Sequence, residues 1–297
     1  MSNPYESMMD QARQHLAAGD GQGALQIARQ ILATADTPVP GIHLLRAQTF
    51  VKLGSDVQAL QAAEAELFID PSNPAARQLL DELLAKIPRG ERRPVDRKWG
   101  STLEARQFEN YELAAHRYTY RDIPLVKNSF DLALYPRLLH KLKPATIIEV
   151  GTFYGGSAVW MADLTRAFGL STHIYSIDVV ALHLMNDERV TYLRGSGREL
   201  GAVLAGDFLA NLPRPLLVIE DADHEAITTL AVLNFFHPIL RSGEYIVVED
   251  GMSCAGPREA LAEFFKAHGD EYEVDPDYCD FFGYNVTWCL NGWLRKR

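Results

Sequence analysis

Short apolar, β-branched runs recur along the later part of the chain, at Thr146–Val150, His173–Val179, Val190–Leu193, Leu216–Ile219 and Tyr245–Val248. Helical patterns lie between them, for example Ser157 to Phe168 and His224 to Leu240. In the second of these, Ala226, Leu230, Leu233, Phe236 and Leu240 recur at helical spacing and form one apolar stripe. Strands alternating with amphipathic helices predict an α/β domain built on a parallel sheet covered on both faces. In such sheets ligands lie beyond the carboxyl ends of the strands, so chemistry is expected at the strand tips. Tyr272–Val274 and Asn285–Leu290 are predicted to add two further strands.

The first part of the chain reads differently. HLAAGDGQGALQIARQIL from His15 aligns with FVKLGSDVQALQAAEAEL from Phe50, a period of 35 residues. Small residues recur where paired helices would touch, and the pattern resembles the tetratricopeptide repeat. A third helix, Pro74 to Lys86, would cap the stack. The predicted organisation is a small all-α helical-repeat module over residues 1–87, a linker over 88–100 and the α/β domain over 101–297. The linker is read from its basic, proline-containing sequence PRGERRPVDRKWG, with 5 basic and 2 acidic residues between two acidic blocks. Two repeats bury little core, so the module is expected either to dock a partner or second subunit, making the protein a homo-oligomer, or to serve as a stabilising cap.

Composition narrows the class. Apolar residues make up 47% and charged residues 23% of 297 residues, a globular balance. No run approaches the roughly 18 apolar residues a membrane span needs, and Met1 to Asp20 does not resemble a signal peptide, so a cytoplasmic location and no membrane partner are expected. A net charge of −10 argues against nucleic acid as a partner. Cys254, Cys279 and Cys289 lack zinc-site spacing and read as reduced thiols.

The strand tips carry the candidate chemistry. The first strand and its turn read IIEVGTFYGGSAVW, in which an acid and a glycine close the strand and two glycines precede a helix. Alone this is equally a tight turn. The second strand ends at Asp178, 27 residues after Gly151, where a carboxylate can take the hydroxyls of an adenosine ribose or cap a helix. The third ends in Arg194-Gly195-Ser196-Gly197, a loop suited to an adenine edge. Glu149, Gly151, Gly155, Ser157, Asp178 and Ser196 are therefore the candidate cofactor contacts.

The fourth and fifth strands run from buried aliphatics straight into acids, LLVIEDADHE and EYIVVEDGMS. Glu220, Asp221, Asp223, Glu249 and Asp250 would crowd like charges at one sheet edge. A hard divalent cation relieves such crowding; the alternative is helix caps and solvated loop charges. His224 follows Asp221 by three residues, close enough to act as a base. Tyr120 and Lys127, before the sheet, are placed to line the pocket.

The segment YRDIPLVKNSFDLALYPRLLHKLKPATIIEVGTFYGGSAVW, Tyr120 to Trp160, resembles the cephalosporin hydroxylase and rhamnosyl O-methyltransferase family. The strand tips are similar to those of metal-dependent macrolide-sugar O-methyltransferases. That resemblance, over roughly residues 110–297, implies a Rossmann-like class I methyltransferase sheet, S-adenosylmethionine as cofactor, and Mg²⁺ or a similar ion on Asp221, Glu249 and Asp250. It further implies His224 as the base, Asp223 orienting it or binding substrate, and a hydroxyl of a sugar or other natural product as acceptor. Two alternatives stand beside methyl transfer: an oxidative enzyme or partner subunit on the same scaffold, for which His237 would have to join His224, and a non-catalytic binding protein.

Overall fold

A computed structural model describes residues 4–180 and 182–297. The chain divides into two compact units, one ending at Ile87 and the other spanning Pro88–Arg297.

The first unit is five helices: α1 (Glu6–Ala17), α2 (Gly21–Thr34), α3 (Ile42–Lys52), α4 (Asp56–Ile69) and α5 (Pro74–Leu84). Gly19 and Gly54, the glycines that the repeat alignment matches, both take left-handed backbone, at φ 83° and 69°, and end α1 and α3. Alanines at 47, 62, 63 and 76 let the later helices approach closely, with Leu67 and Leu80 filling between them. Glu66 is fully buried, and its carboxylate accepts from the backbone N–H groups of Gly41, His43 and Leu44 at 2.6, 3.1 and 3.2 Å. It thus supplies the acceptor that the start of α3 lacks.

The second unit opens with helix α6 (Ala105–Ala115) and a two-stranded hairpin, β1 (Thr119–Tyr120) and β2 (Ile123–Pro124). Then follow α7 (Asp131–Leu142), β3 (Thr146–Val150), α8 (Gly156–Ala167), β4 (His173–Asp178) and β5 (Val190–Arg194). Two short helices, α9 (Leu200–Val203) and α10 (Gly206–Ala210), precede β6 (Leu216–Glu220), α11 (Ala226–Phe236), β7 (Tyr245–Val248) and α12 (Ala255–His268). The chain closes with β8 (Tyr272–Val274), α13 (Pro276–Cys279) and β9 (Trp293–Lys296). The seven-stranded sheet has the order β5-β4-β3-β6-β7-β9-β8. Strands β3 to β7 run parallel, and β9 is antiparallel to both β7 and β8. This is the expected α/β architecture, with its strand order reversing between β3 and β6, the place where such sheets hold ligands.

The central strands are buried on both faces. Every residue of β3, β6 and β7 is buried, including Leu217, Ile219 and Val247. Each large aliphatic so placed contributes roughly 1.5–3 kcal/mol, so the sheet can hold strained or charged tips rigidly. Among the described residues no helix is long and apolar enough to cross a membrane. The three cysteines are free thiols.

Two expectations need correction. Asn285–Leu290 is not a strand; the last strand is β9. Asn285 and Asn291 take positive φ, 53° and 55°, which breaks strand geometry. Side chains satisfy the segment instead: Asp131 accepts from the Thr287 hydroxyl and from the Trp288 N–H at 3.0 Å. The expected linker 88–100, though exposed over most of its length, is anchored by the buried Pro94 and Arg97. The Arg97 side chain has no exposed surface and pairs with the equally buried Asp280 at 2.7 Å, while also donating to Asn291 at 2.6 Å. A basic proline-rich stretch reads as solvent-exposed from sequence because its buried acceptor lies 183 residues away.

Candidate active site

The tips of β3 and β6 touch through Gly151. Its φ is +111°, and a Cβ there would stand 1.7 Å from the Asp221 carbonyl oxygen, so only glycine allows this approach. The loop beyond it is tied to β4: Thr152 and Phe153 donate their N–H groups to one oxygen of Asp178, at 2.9 and 3.1 Å, and Val180 donates to the other at 2.9 Å. Asp178 thus organises the loop, and it also lines a cavity of about 140 Å³ together with Gly151, Ser196 and Asp223. Gly155 makes the left-handed turn before α8, at φ 82°, and Ser157 lies on the wall of a second cavity.

Glu149 sits apart from both cavities. It is fully buried and accepts from the hydroxyls of Ser157 and Ser176. Burial pushes its carboxyl up to about 7, against the lowering effect of Lys127 and the two hydroxyls. Expected as a cofactor contact, this side chain lies off the walls of both cavities, and through Ser157 it braces α8.

The second cavity, about 350 Å³, shares Gly151 and Ala222 with the first. Asp221, His224 and Asp250 line it, and one ligand atom from each lies within 4.8 Å of the others. His224 Nδ1 is 3.4 Å from Asp250 Oδ2. Burial raises the carboxyl of Asp221 to about 6, opposed by Lys127 and reinforced by Asp250. Asp250 is also raised by burial, with His224 opposing. Glu112, His116 and Trp288 also line it, and Glu112 accepts from the Trp288 indole N–H at 2.9 Å.

Glu249 differs from its expected grouping with Asp221 and Asp250. One oxygen accepts from Lys127 Nζ at 2.6 Å and from the Tyr135 hydroxyl; the other is buried without a hydrogen-bond partner. Lys127, itself almost fully buried, also donates to Asp221 Oδ2 at 2.6 Å. A buried carboxylate is held at lower cost beside a buried ammonium than alone, which explains the inward turn. Even so, burial carries Glu249 to about 7.

Asp223 does not orient His224. It accepts from Thr228 at 2.9 Å and from the Glu225 N–H at 3.1 Å, and pairs with Arg198 at 3.1 Å. Burial works to raise it, but these partners outweigh burial and hold it below the ordinary carboxylate value. The carboxylate beside His224 is that of Asp250. His237 lies in a separate cluster with His268 and Glu271, so the two histidines an oxidative iron site would need do not meet. The signal for Lys127 in the sequence is a lone lysine and aspartate in LVKNSFDLAL, a segment with no other charge.

The Rhamnosyl O-methyltransferase/CmcI family model matches residues 113–297. The rhamnosyl O-methyltransferase of Mycobacterium tuberculosis is 30% identical over 194 residues, covering 60% of this chain and 78% of that protein. Its counterpart in Mycobacterium leprae is 27% identical over 192 residues, covering 60% and 83%. A solved apo structure of CmcI superposes with a TM-score of 0.53 at 25% identity, covering 61% of this chain and 76% of that one. A Mg-SAM form of CmcI gives 0.51 at 24% identity, covering 61% and 77%. The matched residues contain the acidic strand tips and, Glu112 apart, the lining of both cavities, and the chain belongs to the Rhamnosyl O-methyltransferase/CmcI family.

Proposed function

We propose that the second unit is an S-adenosylmethionine-dependent O-methyltransferase that uses Mg²⁺ or a similar divalent ion and acts on a hydroxyl of a sugar or other natural product. The observation that carries this reading is the convergence of Asp221, His224 and Asp250 where two cavities share Gly151 and Ala222. The smaller cavity has the strand-tip position of a nucleoside site, and the larger leaves room for an acceptor. The donors fit a hard cation: carboxylate oxygens from Asp221 and Asp250, with the unpartnered buried oxygen of Glu249 behind them.

When bound, the cofactor supplies an electrophilic methyl group and the ion supplies positive charge beside the acceptor oxygen. The protein's residues do the rest. Gly151 and the Asp178-anchored loop fix the cofactor side of the site. His224, with its Nδ1 3.4 Å from Asp250 Oδ2, is the base that takes the hydroxyl proton, and the Asp250 carboxylate beside it favours the imidazolium that forms. Glu112 and His116 form the polar wall on the acceptor side. The membership of a family whose mycobacterial members are rhamnosyl O-methyltransferases supports a glycosyl hydroxyl first.

The test is transfer of labelled methyl to a panel of rhamnosides and simple phenols, with and without chelator. Labelled acceptor that disappears on chelation and returns with Mg²⁺ is expected. Transfer that survives exhaustive chelation removes the metal from the reading. No binding of S-adenosylhomocysteine by calorimetry removes the cofactor.

A further inference from the structure

The acidic tips contain a cation of their own. The Lys127 side chain is 2% exposed, and its ammonium stands 2.6 Å from both Asp221 Oδ2 and Glu249 Oε1. The Tyr135 ring lies 5.8 Å away, and its hydroxyl donates to the same Glu249 oxygen. The backbone around Lys127 is fixed at both ends. Leu125 donates to the Tyr118 carbonyl at 3.1 Å, and Asp131, at the start of α7, is locked to Thr287 and Trp288. The backbone that carries the lysine is therefore held between the hairpin and the helix. It bridges carboxylates from two different strands, β6 and β7, one of which lines the cavity while the other is buried behind it.

We propose that Lys127 is a positioning residue acting as the resident counter-ion of this site. It holds Asp221 and Glu249 together when no metal is bound, so the strand tips stay assembled between turnovers. The part concerning metal rests on the function proposed above: a fixed positive charge beside Asp221 opposes a divalent ion, so Lys127 keeps the ion exchangeable rather than permanently bound.

The experiment uses the full chain and three variants, Lys127→Arg, Lys127→Met and the double variant Lys127→Met with Glu249→Gln. Melting temperature is read in chelator, and Mg²⁺ affinity by calorimetry without acceptor. Lys127→Met should melt well below the parent in chelator and regain much of the difference in Mg²⁺. It should also bind Mg²⁺ about tenfold or more tightly, since one opposing charge is gone. Lys127→Arg should keep the parent's stability in chelator. The double variant, which removes one charge of each sign, should recover it in part. Tighter metal binding separates this role from a merely structural one, which would leave affinity unchanged or weaken it. Lys127→Met with unchanged melting in chelator overturns the proposal, as does equal or weaker Mg²⁺ binding in a folded variant. If Lys127→Met does not fold, recovery by the double variant supports the counter-ion role, and failure to recover overturns it. If neither parent nor variants take up Mg²⁺, the metal reading fails, and the melting temperatures in chelator still decide whether Lys127 is the counter-ion.

Discussion

His224 Nδ1 faces Asp250 Oδ2 at 3.4 Å, and both residues take left-handed backbone, at φ 57° and 58°. Such conformations cost non-glycine residues of order 1–3 kcal/mol each and persist where the surroundings enforce them. Here the two residues follow adjacent parallel strands, and the strain aims an imidazole and a carboxylate at each other across the sheet edge.

Replacing His224 with Asn should therefore leave S-adenosylhomocysteine binding intact and lower turnover roughly 10²–10⁴-fold, the range expected for a general base. Asp250→Asn should lower turnover too, and combining the two should cost little more than His224→Asn alone, because the pair acts as a unit. Steady-state kinetics on the three variants checks this; independent, multiplicative losses would show that Asp250 works apart from His224.

Gly151→Ala tests the contact between the tips of β3 and β6. Its methyl would meet the Asp221 carbonyl at 1.7 Å, which backbone movement alone can relieve. A melting temperature lower by about 5 °C or more is expected, together with loss of the stabilisation that S-adenosylhomocysteine gives the parent. A variant that melts and binds like the parent would mean that the tips are looser than the structure has them.

Much of this site was legible in the sequence because each tip announces itself locally. An aliphatic run ending in an acid, as at Asp178, Asp221 and Asp250, needs no distant information. The side-chain partners were not legible. Lys127 meets Asp221 across 94 residues and Glu249 across 122 residues, separations at which periodicity says nothing. The same limit hides the course of Asn285–Leu290, whose apolar pattern is real but whose Trp288 N–H is held by Asp131, 157 residues away. Asp223, expected to orient His224 or bind substrate, is turned away from its neighbour, and the two side chains meet different partners, Arg198 and Asp250.

Glu220 provides a pH signature. Burial raises its carboxyl from the ordinary 4.5 to about 8, against hydrogen bonds from Thr229 and Ala222. The folded chain thus keeps a proton that the unfolded chain releases. Its contribution to stability is full below about pH 4.5 and is lost as pH climbs through about 8. Glu220→Gln, which is always neutral, should escape this loss. Its stability relative to the parent should grow between about pH 5 and about pH 8, by up to about 1.4 kcal/mol per pH unit. Denaturant melts in chelator at several pH values measure it, and parallel profiles for the two proteins would place the Glu220 carboxylate in the ordinary range.

Arg97 sets where the chain can be cut. Arg97→Met would leave the fully buried Asp280 without its cation, a loss of about 3–5 kcal/mol for a broken buried pair. By the same argument, a protein beginning at Pro88 should melt well above one beginning at Trp99, which lacks Arg97. Equal melting temperatures for the two truncated proteins would show that the Arg97–Asp280 pair contributes no net stability.

The lining of the larger cavity comes from elements under very different structural constraint. Part of it is strand tips, where Gly151 admits no side chain and Asp221 and Asp250 are tied to their neighbours. Another part comes from α6, a helix that buries only Ala115 and shows Leu113 to solvent at 69%. Substitutions near Glu112 and His116 therefore put little folding free energy at risk. Under the proposed function, changes along α6 would reshape the acceptor wall while leaving His224 and Asp250 on a sheet edge that tolerates little change.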